Sequence, residues 1–113
     1  MKTKESIIDW DYINAIFNNN VEEIQEFLQD YENISEVKIK QLELAIREKD
    51  QKKAKEILHF LKGSSGFIKK IHHYCLHAED TVNRAEWNDV ESTYLQLKHS
   101  FQLLKKEIKK NNN

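Results

Sequence analysis

The sequence predicts an all-α fold, an antiparallel four-helix bundle with a short additional N-terminal helix laid across it. Three observations predict it. Proline is absent from the 113 residues and glycine occurs only at Gly63 and Gly66, whereas a chain of strands wants glycine, proline or an equivalent at its tight turns. Apolar residues recur in alternating steps of three and four, the period of a helix packed on one side. The connections between these periodic segments are short, which sets consecutive helices antiparallel.

The first helix is short, about Asp9 to Phe17, with Trp10, Ile13, Ile16 and Phe17 on one side. Asn18-Asn19-Asn20 ends it, because asparagine suits turns and caps better than helix interiors. A long segment follows from Val21 to about Glu48. Its first half carries Val21, Ile24, Leu28 and Tyr31, and its second half Leu42, Ala45 and Ile46. Between Asn33 and Lys40 the residues Ile34, Val37 and Ile39 share no stripe, so one curved helix and two broken helices both fit, one being favoured. Lys49-Asp50 marks a turn. The third helix runs from Gln51 to about Ser65 with Ala54, Ile57, Leu58 and Leu61 as its apolar face, and Gly66 is placed to end it. The fourth carries the stripe Ile68, Ile71, Cys75, Ala78, Val82, Ala85. After Glu86 the fifth repeats the pattern with Val90, Tyr94, Leu97, Phe101, Leu104 and Ile108.

Composition narrows the function classes. A single domain over residues 1–113 is the natural size, with no room for a separate nucleotide-binding domain. Eighteen basic residues balance 19 acidic ones, and the charges are interspersed, unlike the basic stripe of a nucleic-acid binder. The nearest approach is Lys105, Lys106, Lys109 and Lys110, cations that complement a helix C-terminus. Residues 110–113 read as a frayed tail. The lone Cys75 has no internal disulfide partner, which fits a reducing compartment. The N-terminus leads into no long apolar run, and no stretch approaches a membrane span. The reading is a soluble cytoplasmic protein, with Met1 and the polar tail suggesting a stand-alone carrier.

The most informative stretch is His59-Phe60-Leu61-Lys62-Gly63-Ser64-Ser65. It sets an imidazole, an ammonium and a glycine at i, i+3 and i+4, on one helix face. At ~100° per residue, the apolar face of the third helix centres roughly 150° or more from His59, while Lys55, Lys62 and Gly63 lie within about 60° of it. His59 therefore faces solvent or the bundle edge. Glycine inside a helix costs ~1 kcal/mol relative to alanine. Gly63 sits one turn beyond His59, where a Cβ would crowd a group on the ring. An early helix end is the plainer account of Gly63, but Gly66 already offers a stop.

This stretch resembles the H-x-L-K-G-S-S core of the histidine-containing phosphotransfer (HPt) domains of two-component phosphorelays. Ile8-Asp9-Trp10 is similar to the usual opening of these domains, and the run from Leu42 to His59 is similar to their apolar-rich approach to the histidine. Cys75 to Glu79 and Ala85-Glu86-Trp87 also sit where such domains have similar residues. The turn after the serines departs from the family, being compressed to Gly66-Phe67.

The resemblance implies a histidine phosphotransfer protein that relays a phosphoryl group between aspartates of receiver domains. Those receivers belong to response regulators and hybrid sensor histidine kinases. His59 is the implied phosphoacceptor, attacking through Nε2; an imidazole with an ordinary pKa of about 6.5 is a neutral nucleophile at neutral pH. Glu79, beside the stripe residue Ala78, is the implied orienter of Nδ1, with Asp80 the alternative one residue on; a carboxylate there fixes the tautomer, as in hydrolase triads. Lys62 would offset charge on the phosphoryl oxygens, and Gly63 would leave steric room. Ser64 and Ser65 read as helix-end hydroxyls that bond back to carbonyls. Phe60, Phe17 and Ile13 are the implied partner-binding residues, with Phe27 on a neighbouring helix. The chain has no phosphate loop of the G-x-x-x-x-G-K-[ST] type, so it reads as a phosphocarrier, not an autonomous enzyme. No cofactor is expected on it, Mg²⁺ being expected on the partner receiver, and the carrier is expected to be a monomer.

Two other readings exist. His73 and His77 stand at i, i+4, the spacing of paired metal ligands, with Asp80 beyond. No second cysteine or histidine pair completes a site, and Cys75 lies on the core stripe, so no metal site is assigned. His72 and His99 read as surface residues. The other class is a non-phosphorylated helical-bundle adaptor that binds a signalling partner; the retained His59, Lys62 and Gly63 argue against it.

Overall fold

The computed structural model describes residues 6–111. Residues 1–5 and the last two asparagines of the tail lie outside that range. The described residues form five helices and no strand: α1 (Trp10–Ile16), α2 (Val21–Arg47), α3 (Gln51–Ser64), α4 (Lys69–Asn83) and α5 (Trp87–Asn111). Helix α2 packs on α3, α3 on α4, α4 on α5, and α5 back on α2, which closes a four-helix ring 42 Å long.

Helices α1, α2 and α3 start at side-chain caps, whereas α4 starts without one. The carboxylate of Asp9 accepts from the Tyr12 amide at 3.1 Å, the side chain of Asn20 from Glu23 at 3.1 Å, and Asp50 from Lys53 at 3.0 Å. These caps satisfy amides that have no partner inside the helix. Asn18, Asn19, Lys49 and Ala85 adopt positive φ, turning the chain sharply between helices. At Ala85 this corrects an expectation: the alanine lies exposed in the α4–α5 turn, and the buried stripe of α4 ends at Val82.

Helix α2 is one unbroken helix of 27 residues. The gap in its apolar stripe is filled by Ser35, 3% exposed, so the buried line runs Tyr31, Ser35, Ile39, Leu42 while Ile34 and Val37 face outward. Val21 and Ile16, both expected on apolar faces, are exposed at the helix ends. The expected stripes of α3 and α5 are buried throughout. Lys110 and Asn111 continue α5, and the rest of the tail expected to fray lies outside the described residues.

Helix α1 closes one end of the bundle. The Ile7 amide donates to Glu107 Oε1 at 2.7 Å and the Trp10 indole N–H to Glu107 Oε2 at 2.8 Å. The Asp9 amide donates to the Phe67 carbonyl at 2.9 Å. Beneath these, the rings of Phe17, Phe27, Tyr31 and Phe67 form an aromatic cluster. Gly66 belongs to this joint. Its φ is not positive, so it is no left-handed stop for α3. A Cβ there would stand 3.2 Å from the Tyr12 hydroxyl oxygen. Ser65 ends the helix instead: its amide reaches the Lys62 carbonyl at 3.4 Å, and its hydroxyl donates to the Leu61 carbonyl at 2.5 Å. The Tyr31 hydroxyl closes on the same Ser65 oxygen.

Candidate functional site

The site is built where the outer edge of α3 meets α4. Ala54, Ile57, Leu58 and Leu61 anchor α3 in the core, each 3% exposed or less. That phase turns His59 outward, and its side chain is 76% exposed. Lys62, one turn on, is turned toward α4 and is only 25% exposed.

Ile71, Cys75, Ala78 and Val82 fix α4 in the core and carry Glu79 to the α3–α4 seam. The Glu79 side chain is 18% exposed, with Oε1 at 2.8 Å from Lys62 Nζ and Oε2 at 3.7 Å from His59 Nδ1. Oε1 is sealed from solvent, and no hydrogen-bond donor among the described residues is aligned on it. Its contact with Lys62 is therefore an ion pair of distance and charge. Asp80, the alternative to Glu79, points away and pairs with Arg84 at 2.6 Å. The compressed Gly66-Phe67 turn leaves Glu79, not its neighbour, beside His59 and Lys62.

Cys75 lies one turn before Glu79 and is wholly buried. Burial pushes its thiol up to about 12, the Glu79 carboxylate adds to the rise, and the Lys62 ammonium opposes it. A thiol so held is no nucleophile at neutral pH.

Gly63 continues the helix beyond His59, and a Cβ added there would meet nothing within 4 Å. No packing inside this chain demands the glycine; the space it leaves is open to whatever approaches His59 from outside. Ser64 and Ser65 bond back to carbonyls of their own helix, Ser64 Oγ–H donating to Phe60 O at 3.0 Å.

Two groups at the site were missed by sequence reasoning. His72, expected at the surface, is half-buried, and its Nδ1 lies 3.1 Å from the Lys62 carbonyl. A carbonyl only accepts, so Nδ1 carries the proton. The i, i+7 spacing of His72 and Glu79 was the available signal, since it puts both on the face that looks at α3. Lys38 of α2 sets its ammonium 4.8 Å from the centre of the Phe60 ring. No local pattern announced that contact, which depends on the α2–α3 packing.

Of the three residues expected to meet a partner, Phe60 is 42% exposed and remains on the surface next to His59. Phe17 is half-buried, its ring centre 5.2 Å from that of Phe27. Ile13 is 1% exposed and supplies no surface: it is the residue by which α1 enters the core.

Comparison with known proteins bears on the fold and the family. The solved structure of histidine-containing phosphotransfer protein B from Pseudomonas aeruginosa PAO1 shares the fold, with a TM-score of 0.86 over 93% of each chain at 19% sequence identity. No curated protein sequence matches the chain. The Hpt domain family matches residues 22–108, most of the chain. The chain belongs to the Hpt domain family, the histidine phosphotransfer domains of phosphorelays.

Proposed function

We propose that His59 is the phosphoacceptor. It takes a phosphoryl group from an aspartyl phosphate on one receiver domain and gives it to an aspartate on another. The observation that carries this is the exposed imidazole of His59 set beside the half-buried Glu79–Lys62 pair. Nδ1 is turned toward Glu79, which leaves Nε2 as the outward nucleophile. The Nε2 lone pair forms the N–P bond while the P–O bond to the aspartate breaks and the aspartate leaves as a carboxylate. The proton stays on Nδ1, where the Glu79 carboxylate offsets the positive charge the ring acquires. Gly63 gives the incoming phosphoryl group and its receiver room beside the ring.

The partners are receiver domains of response regulators and hybrid sensor histidine kinases. Phe60, exposed and next to His59 in the chain, is the apolar contact, with Phe17 at the aromatic joint. The chain is a cytoplasmic, monomeric phosphocarrier that makes no phosphoryl donor of its own. The Mg²⁺ that assists transfer is held by the receiver. Among the described residues no helix is long and apolar enough to cross a membrane.

The test is incubation with phosphorylated receivers and a search for acid-labile, base-stable label. Wild type is expected to take the label and His59→Gln to take none. No label from any receiver of the source organism overturns the proposal and leaves an adaptor. Label on His59→Gln equal to wild type moves the phosphoacceptor elsewhere.

A further inference from the structure

The Glu79–Lys62 pair has a second consequence, which rests on the phosphotransfer reading. Lys62 is the cation placed to meet a phosphoryl group on His59, yet its ammonium is already held at 2.8 Å by Glu79 Oε1. That oxygen is sealed from solvent and has no aligned donor among the described residues. If Lys62 swings out to the phosphoryl oxygens, the sealed Oε1 of the half-buried Glu79 carboxylate loses its counter-charge, which costs free energy. If Lys62 stays, the phosphoryl group forgoes its cation. Glu79 Oε2, 3.7 Å from Nδ1, still offsets the positive charge of the ring from that side, so the conflict lies in the shared Lys62 ammonium. Both outcomes raise the free energy of phosphohistidine relative to free histidine.

We propose that Glu79 and the phosphoryl group on His59 compete for the Lys62 ammonium, and that this competition keeps phosphohistidine short-lived and favours onward transfer. Glu79 is in this respect a positioning residue that acts through Lys62. The bonds that form and break are those of the transfer itself. Phosphorus moves from aspartate oxygen to Nε2 and on to a second aspartate oxygen, and Lys62 changes partner without giving up a proton.

The experiment phosphorylates the full chain with phosphoramidate, a small donor that needs no receiver. After the donor is removed, the decay of phosphohistidine is followed by ³¹P NMR. Glu79→Gln keeps the side-chain shape and removes the charge, and is expected to lengthen the half-life about 5-fold. Its steady occupancy against a phosphorylated receiver should rise by a similar factor. In a Lys62→Ala background the gain from Glu79→Gln should shrink to less than about 2-fold, since simple repulsion would add independently while competition cannot. An unchanged or shortened lifetime in Glu79→Gln overturns the inference, as does a gain equally large without Lys62. Should Glu79→Gln fail to fold, wild type still decides. The ¹⁵N signal of Lys62 Nζ and the ¹³C signal of the Glu79 carboxylate must both move on phosphorylation, and fixed signals overturn the proposal. A wild type that takes no phosphoryl group sinks the phosphotransfer reading itself. One that takes it normally while Glu79→Gln is indistinguishable sinks this inference alone.

Discussion

His72 of α4 donates from Nδ1 to the carbonyl of Lys62 on α3, across 3.1 Å. The last carbonyls of a helix have no partner within it. The Lys62 carbonyl, reached by the Ser65 amide only at 3.4 Å, takes a second donor from the neighbouring helix, at the residue whose side chain pairs with Glu79. Helix α4 therefore holds Lys62 twice, by its backbone through His72 and by its ammonium through Glu79. Replacing His72 by Phe removes the donor and leaves an apolar ring of similar size. Urea unfolding should show a loss of about 1 kcal/mol, and amide exchange should quicken in residues 62–66. No change in either measurement would mean that the carbonyl is served equally well by water.

Gly63 should separate stability from function. It lies inside α3 with open space where a Cβ would stand. Gly63→Ala is expected to raise the unfolding free energy by about 0.5–1 kcal/mol, because alanine loses less backbone entropy on entering a helix. In the proposed transfer the same methyl group intrudes where a receiver brings its phosphoryl group to His59, and a small misplacement there is expected to slow transfer about tenfold or more. A thermal melt and a label-transfer time course on one variant check both halves. A more stable protein that accepts phosphate at the wild-type rate would show that Gly63 leaves no functional space.

Phe60 and Ile13 should behave in opposite ways. Phe60 is 42% exposed with Lys38 over its ring, so Phe60→Ala should change stability by less than about 0.5 kcal/mol. If receivers dock there, their affinity should fall roughly tenfold, as for an aromatic contact at an interface centre. Ile13 is 1% exposed, and Ile13→Ala should cost about 3 kcal/mol of stability through the cavity it leaves. Receiver affinity of the Ile13→Ala protein, measured where it is still folded, should match wild type. Calorimetry of receiver binding alongside denaturant melts separates the two cases.

Much of this site is legible in the sequence because it depends on helical phase. The stripe Ala54, Ile57, Leu58, Leu61 fixes where His59 and Lys62 point, and the stripe Ile71, Cys75, Ala78, Val82 fixes Glu79 at the seam. What was not legible depends on how helices meet end to end. Ile13 shares an apolar helix side with Ile16, yet only the closure of α1 over the bundle end decides that Ile13 is buried and Ile16 exposed. Gly66 looks like a helix stop in one dimension and proves to be a close approach to Tyr12 in three. The partners of Ser65 and His72 lie 34 and 10 residues away, beyond any local pattern.

The buried hydroxyl and thiol groups set an alkaline limit on the fold. Burial pushes the Cys75 thiol from its ordinary 9.0 up to about 12, with the Glu79 charge adding to the rise. Burial also raises the hydroxyls of Tyr31 and Tyr94 from 10.0 to about 12. In each case the folded state holds its proton longer than the unfolded chain, so unfolding releases protons above the ordinary values. Stability falls with pH wherever the unfolded state binds fewer protons. The contribution is therefore fully present below pH 9.0, where the unfolded thiol is still protonated, and is lost as pH climbs toward about 12. Denaturant unfolding at a series of pH values should show this decline, steepening once the tyrosines of the unfolded chain begin to ionise. Tyr31→Phe removes one titrating group, and its stability should fall less steeply than wild type above pH 10.0, the ordinary tyrosine value. A parallel decline in the variant would show that Tyr31 ionises as readily in the fold as out of it.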